Sequence, residues 1–279
     1  FDRKTLAQRG KIDATFVGLN DTSSYTLLAD VTDRDRVTTT FRSKPFRKAD
    51  LTGDRFQFTA TFTPKYVWDL HTPENQYTVR VSLLGDRDAR LDHSWSERFG
   101  FRDFRIAGRD FRLNGSRVFL SAVPLDNAQV GGPLVTYAGA RESLARLKAI
   151  GINYVYSHNY GCEPGTHLGF GEILRAADDE GMLVGFSQPH FGQYDWKTPD
   201  ADKTNGYAAH AAYYARVAGN HPSVVFYAMS HNATGYSEDM NPDLIDGRSD
   251  PRESWGRNGA RLARRAEAIV HAIDPDRQR

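Results

Sequence analysis

Ser230, His231 and Asn232 close an apolar run, residues 224–229, and put an imidazole and an amide where a buried strand would open onto solvent. A run of that kind, placed after a helix, reads as a parallel strand whose carboxyl end lines a site. Imidazole gives or takes a proton near neutral pH, whereas an amide holds a hydroxyl group but has no proton to lend as an acid. Three other strand ends carry residues of the same kind. Asp126 and Asn127 follow the first, His158 and Asn159 the second, Gln188 and His190 the third. Singly, a histidine near a strand end caps a loop or bonds a carbonyl; jointly, four polar strand ends favour one shared pocket. Asp126, Asn127, His158, Gln188, His190 and Asn232 suit sugar hydroxyls. His158, His190 and His231 also suit zinc, which makes a metal-dependent hydrolase an alternative. The compact His-Glu-x-x-His spacing is missing, so neither metal nor cofactor is expected.

Two long segments after strands, 190–205 and 233–257, have the length of lids or binding walls. They carry Tyr194, Trp196, Tyr236 and Trp255, aromatics that stack on sugar rings if exposed and anchor their loops if not. The second also holds the acids Glu238, Asp239, Asp243 and Asp246. These form a solvated turn, or supply an acid if the loop folds back over the pocket.

The elements that would position these groups change character near residue 103. Before it, apolar residues alternate at Phe56, Phe58, Ala60 and Phe62 and again at Tyr77, Val79, Val81 and Leu83, the period of half-buried strands. Turn-rich intervals separate such runs at spacings suited to an immunoglobulin-like antiparallel sandwich over 1–102. A hairpin, 104–106 and 111–113, then leads through Asn114-Gly115, a pair that tolerates positive φ, into a strand over 117–123. Beyond it the pattern predicts helices over 138–150, 170–180, 207–218 and 258–273, with strands over 152–157, 182–187 and 223–230. Repeated βα units imply a parallel sheet covered by helices, doubly wound or closed into a barrel. No glycine-rich phosphate fingerprint follows the first strand, which weakens the nucleotide-binding option. In the barrel reading, residues 103–279 hold about four βα units of a (β/α)8 fold. The remaining strands would then come from sequence not shown.

The chain has 279 residues, a formal charge of +1 and 12% aromatic residues, values that exclude a disordered protein and lack the basic footprint of nucleic-acid binding. A single cysteine, Cys162, excludes an internal disulfide and leaves the compartment open, with export favoured over the cytoplasm. No run approaches the roughly twenty apolar residues of a membrane helix. Phe1 starts without methionine in charged sequence, and Arg279 falls just past a helix, which reads as an excerpt of a longer protein.

From about Tyr66 onward the chain resembles glycoside hydrolase family 2, the β-galactosidase, β-glucuronidase and β-mannosidase group. Trp68 with Pro73, Glu74, Asn75 and Tyr77 looks like that family's sandwich signature, and Arg98, Phe99, Gly100, Phe101 and Arg102 match its exit. Leu113-Asn114-Gly115 matches the barrel entrance, and Gly151-Ile152-Asn153 with Ser157-His158 is similar to the second barrel strand. Asp179-Glu180-Gly181-Met182-Leu183-Val184 resembles the third, and Asn220-His221-Pro222-Ser223 the approach to the fourth. The resemblance implies a bacterial glycosidase of β-linked glycans, with a sandwich followed by an eight-stranded barrel. Relatives end the fourth strand in Gly-Asn-Glu, the glutamate being the acid; here those places read Ser230, His231 and Asn232. The His-Glu pair after the first strand is replaced around Leu125, Asp126 and Asn127, and the arginine usual on the second strand is Tyr156. The nucleophilic carboxylate of the family falls beyond Arg279. His231, Glu238 and Asp239 are the candidate replacement acids, with Trp196 and Tyr236 beside the polar strand ends as substrate contacts. A binding-only pseudoenzyme is the rival reading.

Overall fold

The computed structural model describes residues 8–126, 136–158, 170–229 and 254–275, with side chains at all of these except 8–10, 126, 158 and 254–260. The chain divides after Asp103 into two compact units, Leu113–Gly115 returning to the first.

In the first unit β1 (Gln8–Thr15), β2 (Thr26–Asp33), β3 (Arg36–Arg42), β4 (Arg55–Phe62), β5 (Tyr77–Leu84), β6 (Arg90–His93) and β7 (Glu97–Phe99) form two antiparallel sheets. β1 pairs with β4; β3, β2 and β5 lie in that order, and β6 and β7 share the far edge of β5. The period-two residues explain the arrangement. Tyr25, Leu27 and Phe46 form a buried cluster into which Ile12, Ala14, Phe56, Phe58, Val81 and Leu83 project, so alternate residues of both sheets fill one apolar layer. Asn114, with φ of 50°, donates from its side chain to the carbonyl of buried Trp68 (2.9 Å) and to Asp69 Oδ2 (2.9 Å). The Asn-Gly pair thus adopts the positive φ that it tolerates, and it straps the tryptophan segment as well.

The second unit begins with β8 (Phe104–Ala107), β9 (Asp110–Leu113) and β10 (Ser116–Val118), a three-stranded sheet. A strand over 117–123 was expected to run unbroken; the structure instead stops β10 at Val118 and starts β11 (Ala122–Asp126) after a break. The cause is Asn153, which donates to the Phe119 carbonyl (2.7 Å) and accepts from Ser121 N (2.9 Å), taking backbone bonds that a ladder would otherwise use. Then follow α1 (Tyr137–Ala149), β12 (Tyr154–His158), α2 (Phe170–Glu180), β13 (Leu183–Ser187), α3 (Ala201–Thr204), α4 (Tyr207–Gly219), β14 (Val224–Ala228) and α5 (Ser254–Ile273). β11, β12, β13 and β14 form one parallel sheet in sequence order.

Alternation divides the sheet's two faces. Val155, Val184, Phe186, Val224 and Tyr227 join Leu144, Ile173, Leu174 and Tyr214 of the helices in the main core. Tyr154, Tyr156, Gly185 and Phe226 occupy the opposite face. Gly185 is required there, because a Cβ would fall 2.0 Å from the Tyr154 hydroxyl. Phe104 and Phe111 of the preceding sheet meet Phe226 edge-on, with ring centres at 5.1 and 5.8 Å.

Three acids at the end of α2 each have a structural partner. Asp179 accepts from the Tyr137 hydroxyl (2.6 Å), a bond that, with burial, raises the tyrosine's pKa, and Glu180 accepts from Arg141 Nε (2.6 Å). Asp178, 2% exposed, meets His221 Nδ1 at 2.6 Å and accepts from Ser223 N at 3.1 Å. α2 is thereby tied to the turn that starts β14. At that strand's far side, the Tyr227 hydroxyl donates to Asp274 just past α5 (2.8 Å).

Candidate active site at the strand ends

In a parallel sheet all carboxyl ends lie along one edge, so the last residues of β11, β12, β13 and β14 share that edge whatever their distance in sequence. Asp126 and His158 are register partners at the last positions of β11 and β12. Next along the same edge is a serine pair not anticipated from the sequence. Ser187 N donates to Ser157 Oγ (3.0 Å), and the Ser187 hydroxyl donates to the Ser157 carbonyl. Both residues are buried, and their exchange closes β12 onto β13 one residue beyond the β-ladder that starts at Tyr154 and Leu183. The signal for it, a serine at the end of each run, is present in the sequence but reads equally as loop polarity.

Gln188 continues the ladder through its backbone, donating to the Ala228 carbonyl (2.8 Å). Its side chain is 1% exposed, and neither Nε2 nor Oε1 has a hydrogen-bond partner among the described residues. The parity set by Val184 and Phe186 puts Gln188 on the helix side, away from Gly185 and Ser187. A buried amide without partners costs about 1–3 kcal/mol. It is poised to bond a group that reaches it, but a sugar cannot do so at this burial.

His190 is partly exposed. Its Nδ1 accepts from Gly192 N at 3.0 Å, capping the 3-10 turn Phe191–Gln193, so the imidazole has the local loop-capping job that competes with any sugar or metal role. Trp196 requires correction. Expected as a substrate contact, it takes the alternative role of loop anchor: it is 6% exposed, donates from Nε1 to the Phe191 carbonyl (2.7 Å) and lies under the Arg265 guanidinium, 5.0 Å from its ring centre. Arg265 also bonds the Trp196 carbonyl (2.9 Å) and Asp202 (2.8 Å). The segment from 190 to 205 is therefore anchored to α5 through its aromatic residue, and it contains α3 and the short turn rather than an open loop. Tyr194 is likewise engaged, its hydroxyl 2.5 Å from His210 Nδ1.

Burial dominates the electrostatics near the sheet. Tyr154 is pushed up to about 12 by desolvation, with Tyr156 alongside, so it is a neutral hydroxyl at physiological pH. Desolvation lowers His210 from the ordinary histidine value. Among the described residues no three His, Cys, Asp or Glu side chains converge as metal ligands, and no helix is long and apolar enough to cross a membrane. Asn127, His231, Asn232, Tyr236, Glu238 and Asp239 lie outside the described residues, as do the side chains of Asp126 and His158.

No family model matches the sequence. A β-glucuronidase of Paenibacillus borealis is 26% identical over 176 residues, covering 60% of this chain and 28% of the relative. The solved structure of Bacteroides uniformis β-glucuronidase 2, covalently bound to cyclophellitol-6-carboxylate aziridine, superimposes with a TM-score of 0.68 at 21% identity, over 97% of this chain and 30% of that one. The β-D-mannosidase of Dictyoglomus thermophilum gives 0.67 at 18% identity, over 98% and 32%. The chain thus has a mixed α/β fold like that of family 2 glycosidases and is family 2-like. It spans about a third or less of the length of these relatives.

Proposed function

We propose that this chain belongs to a glycoside hydrolase of the family 2 type that acts on a β-linked glycan, with the usual acid/base glutamate replaced by Asn232. In this reading residues 1–102 are an immunoglobulin-like sandwich and 103–279 the first half of a (β/α)8 barrel, completed by strands outside this sequence. The observation that carries it is the parallel order β11-β12-β13-β14, with Asp126, His158 and Gln188 at or just past three of its carboxyl ends. Active sites of barrel enzymes are built at that edge. Each of the relatives named above is called a glucuronidase or a mannosidase, which supports a pyranoside as the substrate.

Asn232 cannot protonate a leaving oxygen, so the acid falls to His231, or to Glu238 or Asp239 of the following segment. Asp126, Asn127, His158 and Asn232 bind sugar hydroxyls, and Tyr236 stacks on the ring. The test is the intact protein on a panel of aryl β-glucuronides, β-galactosides and β-mannosides. Release of aglycone that is lost on replacing His231, or Glu238 together with Asp239, supports the reading; a protein inert on every substrate refutes it. The missing glutamate favours a second reading, a sugar-binding protein without turnover. Saturable heat of binding with no product, and hydrolysis gained by Asn232→Glu, would establish that one.

A further inference from the structure

The edge of the five-stranded sheet in the first unit is irregular at two points: the β5–β6 register shifts between Leu83 and Leu84, leaving Leu91 as an extra residue, and a second break lies between β6 and β7. β6 pairs with β5 through His93 and Ser82, and β7 through Glu97 and Val79. Between them Ser94 N donates to the Val81 carbonyl at 2.8 Å, which sets Ser94 opposite Val81. Arg80 alone is then left to face both Trp95 and Ser96. Two residues against one is a β-bulge, a device that bends an edge strand and re-aims a side chain.

The bulge is held on both sides. Val81 N donates to Ser94 Oγ (3.1 Å), Ser94 Oγ donates to the Trp95 carbonyl (2.7 Å), and Arg80 Nε donates to Ser96 Oγ (3.2 Å). Ordered backbone thus presents the Trp95 indole, which is 90% exposed, while Trp68 and Trp196 are buried. Protection of the edge against pairing explains a bulge and charged residues, but any polar side chain would serve that purpose. It does not explain the largest apolar side chain held out in water.

The surroundings decide what could cover the ring. Arg90, Asp92, His93 and Glu97 of the same edge are exposed and polar, and the one apolar residue among them, Leu91, is 55% exposed and lies against Gly85. A protein interface centres its aromatic anchors in an apolar, desolvated core, which is missing here. A single flat ring with donors and acceptors at its rim fits a pyranose. The sugar's axial C–H face is apolar and slightly positive against the negative π face, and its equatorial hydroxyls reach the polar rim.

We infer that Trp95 is a stacking platform for one pyranose ring of a β-linked glycan, a binding site without chemistry made by the edge of the first unit. The inference rests on the reading that the protein meets glycans, and its test separates the two. The intact protein is run through native gels containing cereal β-glucan, glucomannan or xylan, beside Trp95→Ala and Trp95→Phe, and the same samples are assayed on aryl β-glycosides. Retardation by at least one polysaccharide is expected. Trp95→Ala should weaken it about tenfold and Trp95→Phe less, with melting temperature and small-substrate hydrolysis unchanged. Absence of hydrolysis with Trp95-dependent retardation intact would overturn the catalytic reading and support the platform. Wild-type protein unretarded by every polysaccharide, Trp95→Ala retarded as strongly as wild type, or a dimer that Trp95→Ala dissociates, would overturn the platform.

Discussion

Removing the Asp178 carboxylate should unlock the start of β14 at a cost readable in a single denaturation series. Among the carboxylate's partners are Ser223 N, in a fully buried residue, and His221 Nδ1, in a side chain 19% exposed. In Asp178→Ala the Ser223 amide becomes a buried donor without an acceptor, which costs about 1–3 kcal/mol. His221 loses a short bond but keeps partial access to water, so its share is nearer 1 kcal/mol. The sum is about 3 kcal/mol, a large fraction of the 5–15 kcal/mol that ordinarily holds a domain together. Asp178→Asn keeps an oxygen for Ser223 N and offers its NH2 to the imidazole, so it should cost about 1 kcal/mol. Urea unfolding of the intact protein gives both values from midpoints at a constant m-value. Amide exchange should place the extra opening of Asp178→Ala in β14 before it spreads elsewhere. An alanine variant within 1 kcal/mol of wild type, or an asparagine variant as damaged as the alanine one, would refute the clamp.

Gly185→Ala drives a methyl to 2.0 Å from the Tyr154 hydroxyl and should destabilise by about 2 kcal/mol, with part of that recovered in Gly185→Ala/Tyr154→Phe on thermal melting. Tyr154 should ionise near its value of about 12 in an alkaline titration followed by absorbance, and Tyr154→Phe should delete that step. Burial holds His210 below the ordinary 6.5, so the unfolded chain binds more protons between the folded value and 6.5. Stability is therefore full above 6.5 and falls as pH drops from there to the folded value; urea midpoints in His210→Phe should lose that slope. Trp196→Ala should cost about 3–5 kcal/mol of stability and leave KM for aryl glycosides unchanged in the protein that remains folded, as befits a buried anchor rather than a sugar contact.

How much of this was legible depended on whether the deciding interactions were local. The alternation at Phe56 to Phe62 was readable because β4 covers one face and exposes the other; β5 was readable as a strand from Tyr77 to Leu83, although Ser82 and Leu84 of the opposite parity are buried as well. The turn at Asn114-Gly115 was readable from the φ that those two residues tolerate. The break at residues 119–121 was not, since it is made by Asn153, more than thirty positions away, capturing backbone groups of Phe119 and Ser121. Trp196 failed for the same reason. The segment's length left stacking and anchoring both open, and the partner that buries the ring, Arg265, sits on a helix whose apolar stripe gives no hint of a guanidinium turned inward.

The strand ends expose a stricter limit. Val184 pairs with Val224 and Gly185 with Phe226, so Val225 is an extra residue that shifts the parity of everything after it in β14. Phe226 and Ala228 thereby pair with Gly185 and Ser187 on the face away from the helices, while Tyr227 pairs with Phe186 toward them. In a half-buried strand a polar residue would have marked such a slip. Here residues 224–229 read Val-Val-Phe-Tyr-Ala-Met, apolar at every position, and a run packed on both faces carries no period from which a one-residue shift could be read. Parity is also what assigns a residue to the catalytic face or the helix face, so in strands of this kind sequence can indicate which end bears the chemistry but not which of two consecutive residues delivers it.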